Sequence, residues 1–176
     1  MVFAHDTTAA LQAAVALVNS AEPPDTMTTA DELDEFFAAH DYTGSRTHDA
    51  AELDAVRALR APLRRLLTSD RDEAVRIVNA TLAERHAVPA LVRHDGWDYH
   101  LHAIDAGAPL ADRIAVETAM AMIDLIRAGE LSRLAVCAEQ SCAGIVLDLS
   151  RNRSRLFCST ACGNRVAVAA YRARRR

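Results

Sequence analysis

The sequence predicts a mainly α-helical chain with one small β-hairpin, followed by a small cysteine-containing module that ends in a basic helix. Three observations predict this fold class. Apolar residues recur at helical spacing through most of the first 130 residues, an Asp-Gly pair separates two short apolar runs, and all four cysteines follow residue 130. We therefore expect a helical domain of residues 1–130 and a module of residues 131–176.

Capping residues and apolar spacing indicate the first two helices. Residues 6–20 carry apolar side chains at positions i, i+4 and i+7, after an Asp/Thr start signal. Thr29 is followed three residues later by Glu32, which is a capping-box pattern. The second helix should therefore begin at Thr29 and end near His40.

A longer amphipathic helix should begin at Asp49. Its apolar stripe consists of Leu53, Val56, Leu59, Leu63, Leu66 and Leu67. Pro62 should kink this helix, because a proline has no N–H group for the internal hydrogen bond. Another helix start at Ser69 or Asp70 leads to about His86, so the sequence predicts four helices before residue 87.

The apolar pattern then changes to that of strands. In the stretch "VPALVRHDGWDYHLHAI", Asp95-Gly96 lies between two apolar or aromatic runs, which favours a two-stranded ribbon. Two strands alone are marginally stable in water, so we expect the ribbon to pack on the helices. A fifth helix should follow over residues 110–126, and Gly129 should end it.

The ribbon also concentrates several side chains that could bind a ligand: His94, Trp97, His100 and His102. Strand alternation puts His100 and His102 on one face. A second metal site or a small-ligand pocket is one interpretation. A structural role is the other, and we favour it because no cysteine or carboxylate constellation accompanies these histidines.

The net charge of −4 conceals two parts of opposite sign. All 24 acidic residues lie at or before Asp148, where 12 arginines oppose them, whereas the last 28 residues carry eight arginines and no acid. This asymmetry predicts a polyanionic partner for the basic part of the chain. A solvated basic tail without a partner is the alternative.

Several classes of protein are disfavoured. Asp6 stands where a signal peptide needs positive charge, and the first apolar run has helical rather than membrane-spanning length. We therefore expect a cytoplasmic protein with no membrane partner. The sequence has no P-loop, G-x-G-x-x-G, G-x-S-x-G or H-E-x-x-H motif, so we expect that it is not an enzyme.

The cysteines Cys137, Cys142, Cys158 and Cys162 follow a C-x4-C-x15-C-x3-C pattern. Two close pairs separated by such a loop suit tetrahedral zinc, since each pair spans one edge of the tetrahedron. Disulfides, a redox pair and inert buried thiols are the alternatives, and cytoplasmic reductants disfavour disulfides. We expect one structural zinc ion in a treble-clef-like finger, with no open position for a catalytic water.

The metal would also stabilise the module. Residues 131–176 contain few large apolar side chains, too few to order a module of this size unaided. Structural zinc contributes roughly 10–16 kcal/mol of apparent folding free energy at neutral pH. We therefore expect the module to unfold, or to dock poorly, without metal.

The stretch "CSTACGNR" opens the last helix. Ser159 should cap it, which places Cys162 in the first turn, where backbone N–H groups favour a thiolate. Gly163 lets the chain pass close to the metal or to a neighbouring segment, and Asn164 could satisfy backbone groups of the loop. Arg165 either offsets the negative charge of the thiolates or faces outward.

The arginines of the module lie on this helix and in the loop before it. We expect nucleic-acid contacts from Arg151, Arg153, Arg155, Arg165, Arg172, Arg174, Arg175 and Arg176. At 100° per residue the helix should present one cationic face, while Val166, Ala170 and Ala173 lie on another side and pack.

The segment "RLAVCAEQSCAGIVLDLSRNRSRLFCSTACGNRVAVAAYRARRR" resembles the CGNR zinc finger, and residues 162–165 match its naming motif. The stretches "ALVNS" and "LDAVRALRAPLRRLL" are similar to the ABATE domain, the helical domain that precedes this finger in the family. The resemblance implies a bacterial, stress-related transcription regulator.

Our leading hypothesis is a zinc-containing DNA-binding regulator, whose N-terminal domain senses a small-molecule effector or mediates homo-oligomerisation. The alternative is a zinc-thiolate redox sensor or a protein–protein interaction module, whose basic face meets an acidic protein. RNA binding follows the same charge logic, but the module has few aromatic side chains for base stacking.

Overall fold

The computed structural model describes residues 3–93 and 98–175, which form seven α-helices, one short 3-10 helix and two antiparallel β-hairpins. In chain order the elements are α1 (His5–Asn19), α2 (Ala30–Ala39), α3 (Ala50–Ala58), α4 (Arg60–Thr68), α5 (Arg71–Glu84), β1 (Ala90–Val92), β2 (His100–His102), α6 (Leu110–Arg127), the 3-10 helix (Leu131–Arg133), β3 (Leu134–Val136), β4 (Ile145–Leu147) and α7 (Thr160–Arg174). The predicted mainly α-helical class is confirmed. Among the described helices, none is both long and apolar enough to span a membrane.

Side-chain caps set the predicted helix starts. Thr29 and Glu32 form the expected capping box of α2, and the Asp49 side chain accepts a hydrogen bond from the backbone of α3. Asp70 caps α5 in the same way, which selects Asp70 over Ser69 as the start. These caps are local, so the sequence alone locates them.

The long third helix is instead two helices, and five helices precede residue 87 rather than four. α3 ends at Ala58, and the Leu59 N–H bonds to the Val56 carbonyl at 3.1 Å. In a continuous helix the Ala58 carbonyl would face Pro62, which has no N–H group. The break puts Pro62 in the first turn of α4, where backbone N–H groups lack helical partners in any case.

α6 is the central helix and packs against α1, α3 and α5. Its fully buried side chains include Leu110, Ile114, Met122 and Leu125. Gly129 adopts a positive φ of 70°, and the Glu130 N–H closes the helix by bonding to the Leu125 carbonyl at 2.9 Å. The predicted end of this helix is confirmed.

The predicted ribbon is the hairpin of β1 and β2, in which Ala90 pairs with His102. The turn prediction at Asp95-Gly96 lies outside the described residues. The ribbon lies on the helices as expected: the Leu101 N–H donates to the carboxylate of Asp6 on α1 at 3.1 Å.

A second hairpin, β3 with β4, was not predicted. Ile145 and Leu147 of β4 are buried in the main hydrophobic core rather than in a core of the module. Asn19 at the end of α1 fixes β4, because its amide donates to the Ile145 carbonyl at 2.8 Å and accepts from the Ile145 N–H at 2.6 Å. The apolar support of this hairpin therefore comes from the helical domain and not from residues 131–176 alone.

Candidate metal centre

The four cysteine side chains converge on one point. Their Sγ atoms all lie within 4.8 Å of one another, and Cys158 Sγ is 3.5 Å from Cys142 Sγ and 3.6 Å from Cys162 Sγ. A zinc tetrahedron with Zn–S bonds of about 2.3 Å has S–S edges of about 3.8 Å. A disulfide bond is only about 2.05 Å long, so these are free thiols placed as a zinc ligand set.

The hairpin positions the first two cysteines. Cys137 follows β3, and its N–H donates to the Gly144 carbonyl at 2.8 Å. The Gly144 N–H in turn points at Cys142 Sγ, 3.3 Å away. A Cβ on Gly144 would lie 2.9 Å from Cys158 Sγ, so only glycine fits here. Sequence reasoning missed this glycine, although it stands two residues after a predicted ligand.

The start of α7 positions the other two cysteines. The Ser159 side chain caps the helix by accepting a hydrogen bond from the Cys162 N–H at 3.3 Å, which confirms the predicted cap. The Cys158 N–H lies 3.5 Å from Cys137 Sγ, which joins the two halves of the cluster. The helix therefore begins at the cluster itself.

The electrostatics of the four-cysteine cluster favour a bound cation. Burial raises the pKa of Cys142 and of Cys158 above the ordinary thiol value. A hydrogen bond with the Ser159 side chain lowers the pKa of Cys162 to about 7. Four thiolates this close repel one another, and a divalent metal ion is the usual compensation because it deprotonates its thiol ligands. Cys137, Cys142, Cys158 and Cys162 would hold zinc.

Arg165 takes the first of its two expected roles. One guanidinium nitrogen lies 3.0 Å from Cys162 Sγ and 3.2 Å from Glu139 Oε2. It therefore offsets the charge of the thiolates and ties α7 to the loop between Cys137 and Cys142.

Gly163 and Asn164, the other two residues of the motif after Cys162, have different surroundings. A Cβ on Gly163 would lie 3.4 Å from the ring of Phe157, an ordinary van der Waals contact, and apart from its neighbours in the chain the three nearest atoms all belong to that ring rather than to the cysteines. Asn164 is exposed and its side-chain amide makes no hydrogen bond within the described part of the chain, so the expected contact with loop backbone is not found.

Beyond its first turns, α7 leaves the body of the molecule. Cys162 is its one buried residue, and Val166, Val168 and Tyr171 are 37%, 47% and 53% exposed. The expectation that Val166, Ala170 and Ala173 pack is wrong. Helical spacing places residues on a common side, but no element of the described chain covers that side of α7.

The structure divides the predicted arginine set into two groups. Three arginines have local partners: Arg153 pairs with Glu130 at 2.7 Å, Arg155 donates to the carbonyls of Phe157 and Cys158, and Arg165 contacts the cluster. Four others are exposed and have no acidic partner among residues 3–93 and 98–175: Arg151, Arg172, Arg174 and Arg175. Arg176 lies outside the described residues.

His100 and His102 lie at a second location. They face each other with 3.0 Å between their Nε2 atoms and line a cavity of about 200 Å³ in the helical domain. His94 and Trp97 lie outside the described residues. Tyr42 and Glu117 also line this cavity, and sequence reasoning missed both because nothing local connects them with the histidines.

Comparisons with known proteins agree with this architecture. Residues 133–175 match the family model of the CGNR zinc finger, and residues 11–129 match ABATE, described as "Putative stress-induced transcription regulator". No curated protein matches the chain. Since the ABATE match spans more than half of the 176 residues, the chain belongs to the ABATE family and carries a CGNR zinc finger after its helical domain.

Proposed function

We propose that this protein is a zinc-containing transcription regulator that binds DNA through α7. The observation that carries the proposal is the state of that helix: it is anchored by the cysteine cluster, exposed from Asn164 onward and rich in arginines without acidic partners. A helix that contributes almost nothing to the core of its own protein is available to a partner.

The dimensions and charge of α7 fit nucleic acid. Its 15 residues span about 22 Å at 1.5 Å per residue. The major groove of B-DNA, about 12 Å wide, admits one α-helix. The basic charge of the last 28 residues, against an acidic remainder, supplies the attraction to phosphates.

The contacts divide by role. The proposed DNA contacts are Arg172 and Arg174 on α7, Arg175 directly after it, and Arg151 in the preceding loop. Arg153, Arg155 and Arg165 hold the module in shape, because their guanidinium groups already bind protein atoms. Neutralisation of about four phosphates gives a slope of about −3.6 for log affinity against log salt.

The helical domain supplies the regulation. We propose that it senses a small-molecule effector or joins two copies of the chain, and that the protein acts in a bacterial cytoplasm. The description of the family supports a role in transcription during stress. A zinc ion held by four cysteines has no position for a substrate, so the proposed role is not enzymatic.

The test is DNA binding by the zinc-loaded full chain. Fluorescence anisotropy with a labelled 30-base-pair duplex of random sequence, at several salt concentrations, compares two triple variants. Arg172, Arg174 and Arg175 changed to alanine should reduce the slope from about −3.6 to about −0.9. The matched control changes Arg65, Arg71 and Arg76, which are exposed on α4 and α5, and should keep the full slope. Equal slopes for both variants, or salt-independent binding, would contradict the proposal.

A second function is favoured by one observation. The apolar side chains Val166, Val168 and Tyr171 are exposed on the same helix, and such side chains are typical of protein interfaces. A redox sensor or a protein-interaction module would bind an acidic protein rather than DNA, and a redox sensor would release zinc under mild peroxide. Loss of partner-protein binding in Val168→Ala, with no DNA binding by the parent protein, would favour this function.

A further inference from the structure

The cavity beside His100 and His102 lies inside the helical domain, far along the chain from the cysteines. α1, the segment after α2, β2 and α6 form its walls. Its volume of about 200 Å³ exceeds the roughly 150 Å³ in which benzene binds an engineered protein cavity. The cavity therefore has room for a molecule slightly larger than one aromatic ring.

Tyr42 points to a missing partner in this cavity. Its side chain is 91% removed from solvent, since 9% is exposed, and its hydroxyl has no hydrogen-bond partner among the residues described. A buried hydroxyl normally has such a partner, and a lost one destabilises the folded state. A ligand in the cavity would provide it once the Tyr42 ring shifts, because the hydroxyl itself is fully buried in this structure.

Glu117 is the second polar group that lacks a close partner. The side chain is 23% exposed, and the His102 Nδ1 atom lies 3.7 Å from the carboxylate, beyond hydrogen-bond distance. No hydrogen bond to this carboxylate occurs in the described parts of the chain. Burial raises the pKa of Glu117 to about 7, although the charge of Arg113 opposes this shift.

The charged residues that line the cavity favour a cationic ligand. Four carboxylates line the cavity, those of Asp6, Asp41, Glu117 and Asp124. Arg127 is the one arginine in the described lining. The Arg113 guanidinium is close by but donates to the backbone carbonyls of Thr43, Ser45 and Ala108. His40, His100 and His102 also line the cavity, and with these rings neutral an anion would face an excess of negative charge that a cation would reduce.

The rest of the wall is apolar. Alanines of α1 and larger side chains of α6 contribute it: Ala9, Ala10, Ala13, Met120 and Ile123. An apolar wall with a few convergent polar groups is the usual composition of a small-molecule site.

We propose that this cavity binds a small organic cation, a primary amine with an apolar body of about one aromatic ring, with its ammonium group at Glu117 and Tyr42. Glu117 and the Tyr42 oxygen accept two of the three N–H bonds, and the body lies against α1 and α6. The inference deepens the sensing role under the proposed function and rests on that role, but not on DNA binding.

Calorimetry on the zinc-loaded full chain at pH 8 tests this site. The probes are benzylamine, 2-phenylethylamine and n-butylamine, each beside the alcohol of the same shape. At least one amine should bind ten or more times tighter than its alcohol. Glu117→Gln should remove that preference and leave the affinity for the alcohol unchanged. Glu84→Gln, on the exposed face of α5, is the matched control and should keep the preference.

Two results would overturn the proposal: no amine binding tighter than its alcohol, or a full preference retained by Glu117→Gln. If Glu117→Gln does not fold, Tyr42→Phe replaces it and should lower the preference by about threefold to tenfold, the effect of one hydrogen bond. An unchanged preference in Tyr42→Phe would then count against the site. The outcome is separate from the DNA measurement, because amine binding without DNA binding would refute only the proposed role of α7.

Discussion

α6 and α7 are helices of similar length that the molecule holds in opposite ways. α6 has 18 residues and buries 11 of them, whereas α7 has 15 residues and buries only Cys162. Burial of apolar side chains stabilises α6, while a capping residue, one ligand of the cysteine cluster and the Phe157 ring anchor α7. An isolated helix of about 15 residues is marginal in water, so α7 depends on its anchor.

The difference also divides the C-terminal module. β3 and β4 precede the loop to Cys158 and share the main core through Ile145 and Leu147. The segment from Cys158 to the end of α7 has only the small cluster around the cysteines. Dependence on metal should therefore begin after β4, and not at residue 131 as the amino-acid composition suggests.

Zinc removal should have the largest effect, and it should unfold α7 but not α6. Chelation, or Cys162→Ser, should unfold α7, because the metal contributes roughly 10–16 kcal/mol of apparent folding free energy. α6 and β4 should stay folded, since their apolar side chains lie in the main core. Hydrogen exchange followed by mass spectrometry measures both regions in one experiment.

Gln140→Ala is the control for this measurement, because Gln140 is exposed within the same module and should leave α7 protected. Protection of α7 without zinc would contradict the anchor. Simultaneous loss of protection in α6 and α7 would show instead that the metal stabilises the whole chain.

Shortening one apolar side chain should have the next largest effect. It should lower the free energy of unfolding when the side chain is in α6, and hardly change it when the side chain is in α7. Leu125 is fully buried, so Leu125→Ala should lower the free energy of unfolding by about 2–5 kcal/mol. Val168 is 47% exposed, so Val168→Ala should change it by less than about 0.5 kcal/mol. Urea denaturation of the zinc-loaded protein measures both. Equal losses would mean that α7 is packed in solution.

The sequence locates those elements whose causes are local. Thr29 with Glu32, Asp70 and Ser159 are caps that need only three or four neighbouring residues, and all three begin helices as expected. The cysteine pattern predicts the zinc site for the same reason, because each pair is close in the chain.

Features that depend on tertiary contacts could not be read from the sequence. Asn19 holds β4 from 126 residues away, so the place of this strand in the main core has no local signal. Tyr42 and Glu117 meet only in the folded chain. Helical spacing predicted a packed side for α7, but spacing does not tell whether another element covers that side.

The pH dependence of stability tests Glu117, a polar residue of α6. The pKa of Glu117 is about 7 in the folded protein against 4.5 for the free side chain, because burial disfavours the charged form. The folded state therefore binds more protons between these values, and stability falls as pH rises from 4.5 through 7, by about 3 kcal/mol in total. Glu117→Gln should not show this loss.

Urea denaturation of both proteins at pH 5 and pH 8 isolates the effect, since all other titrating groups are shared. The free energy of unfolding of Glu117→Gln minus that of the parent protein should be larger at pH 8 than at pH 5. No shift would show that Glu117 is hydrated, and would remove this polar wall of the cavity.

The smallest effect compares two helix caps. Thr29 caps α2, whose Leu33 and Phe36 lie in the main core, and Ser159 caps α7. Loss of either hydroxyl removes one hydrogen bond from a backbone N–H, worth about 1 kcal/mol, and loss of the Ser159 hydroxyl also removes its hydrogen bond with the Cys162 thiol. Thr29→Ala should therefore lower the free energy of unfolding of the helical domain by about that amount. Ser159→Ala should leave it unchanged and instead speed hydrogen exchange in α7 about fivefold.

Both variants remove a capping hydroxyl, so a difference in where each one acts reports how each helix is connected to the core. If Ser159→Ala also lowered the urea midpoint of the helical domain, α7 would be coupled to that core through contacts other than the cysteine cluster. If its effect is confined to α7, the helix is a separate unit with a stability set by its cap and its metal, and a partner that orders it stabilises little else in the chain.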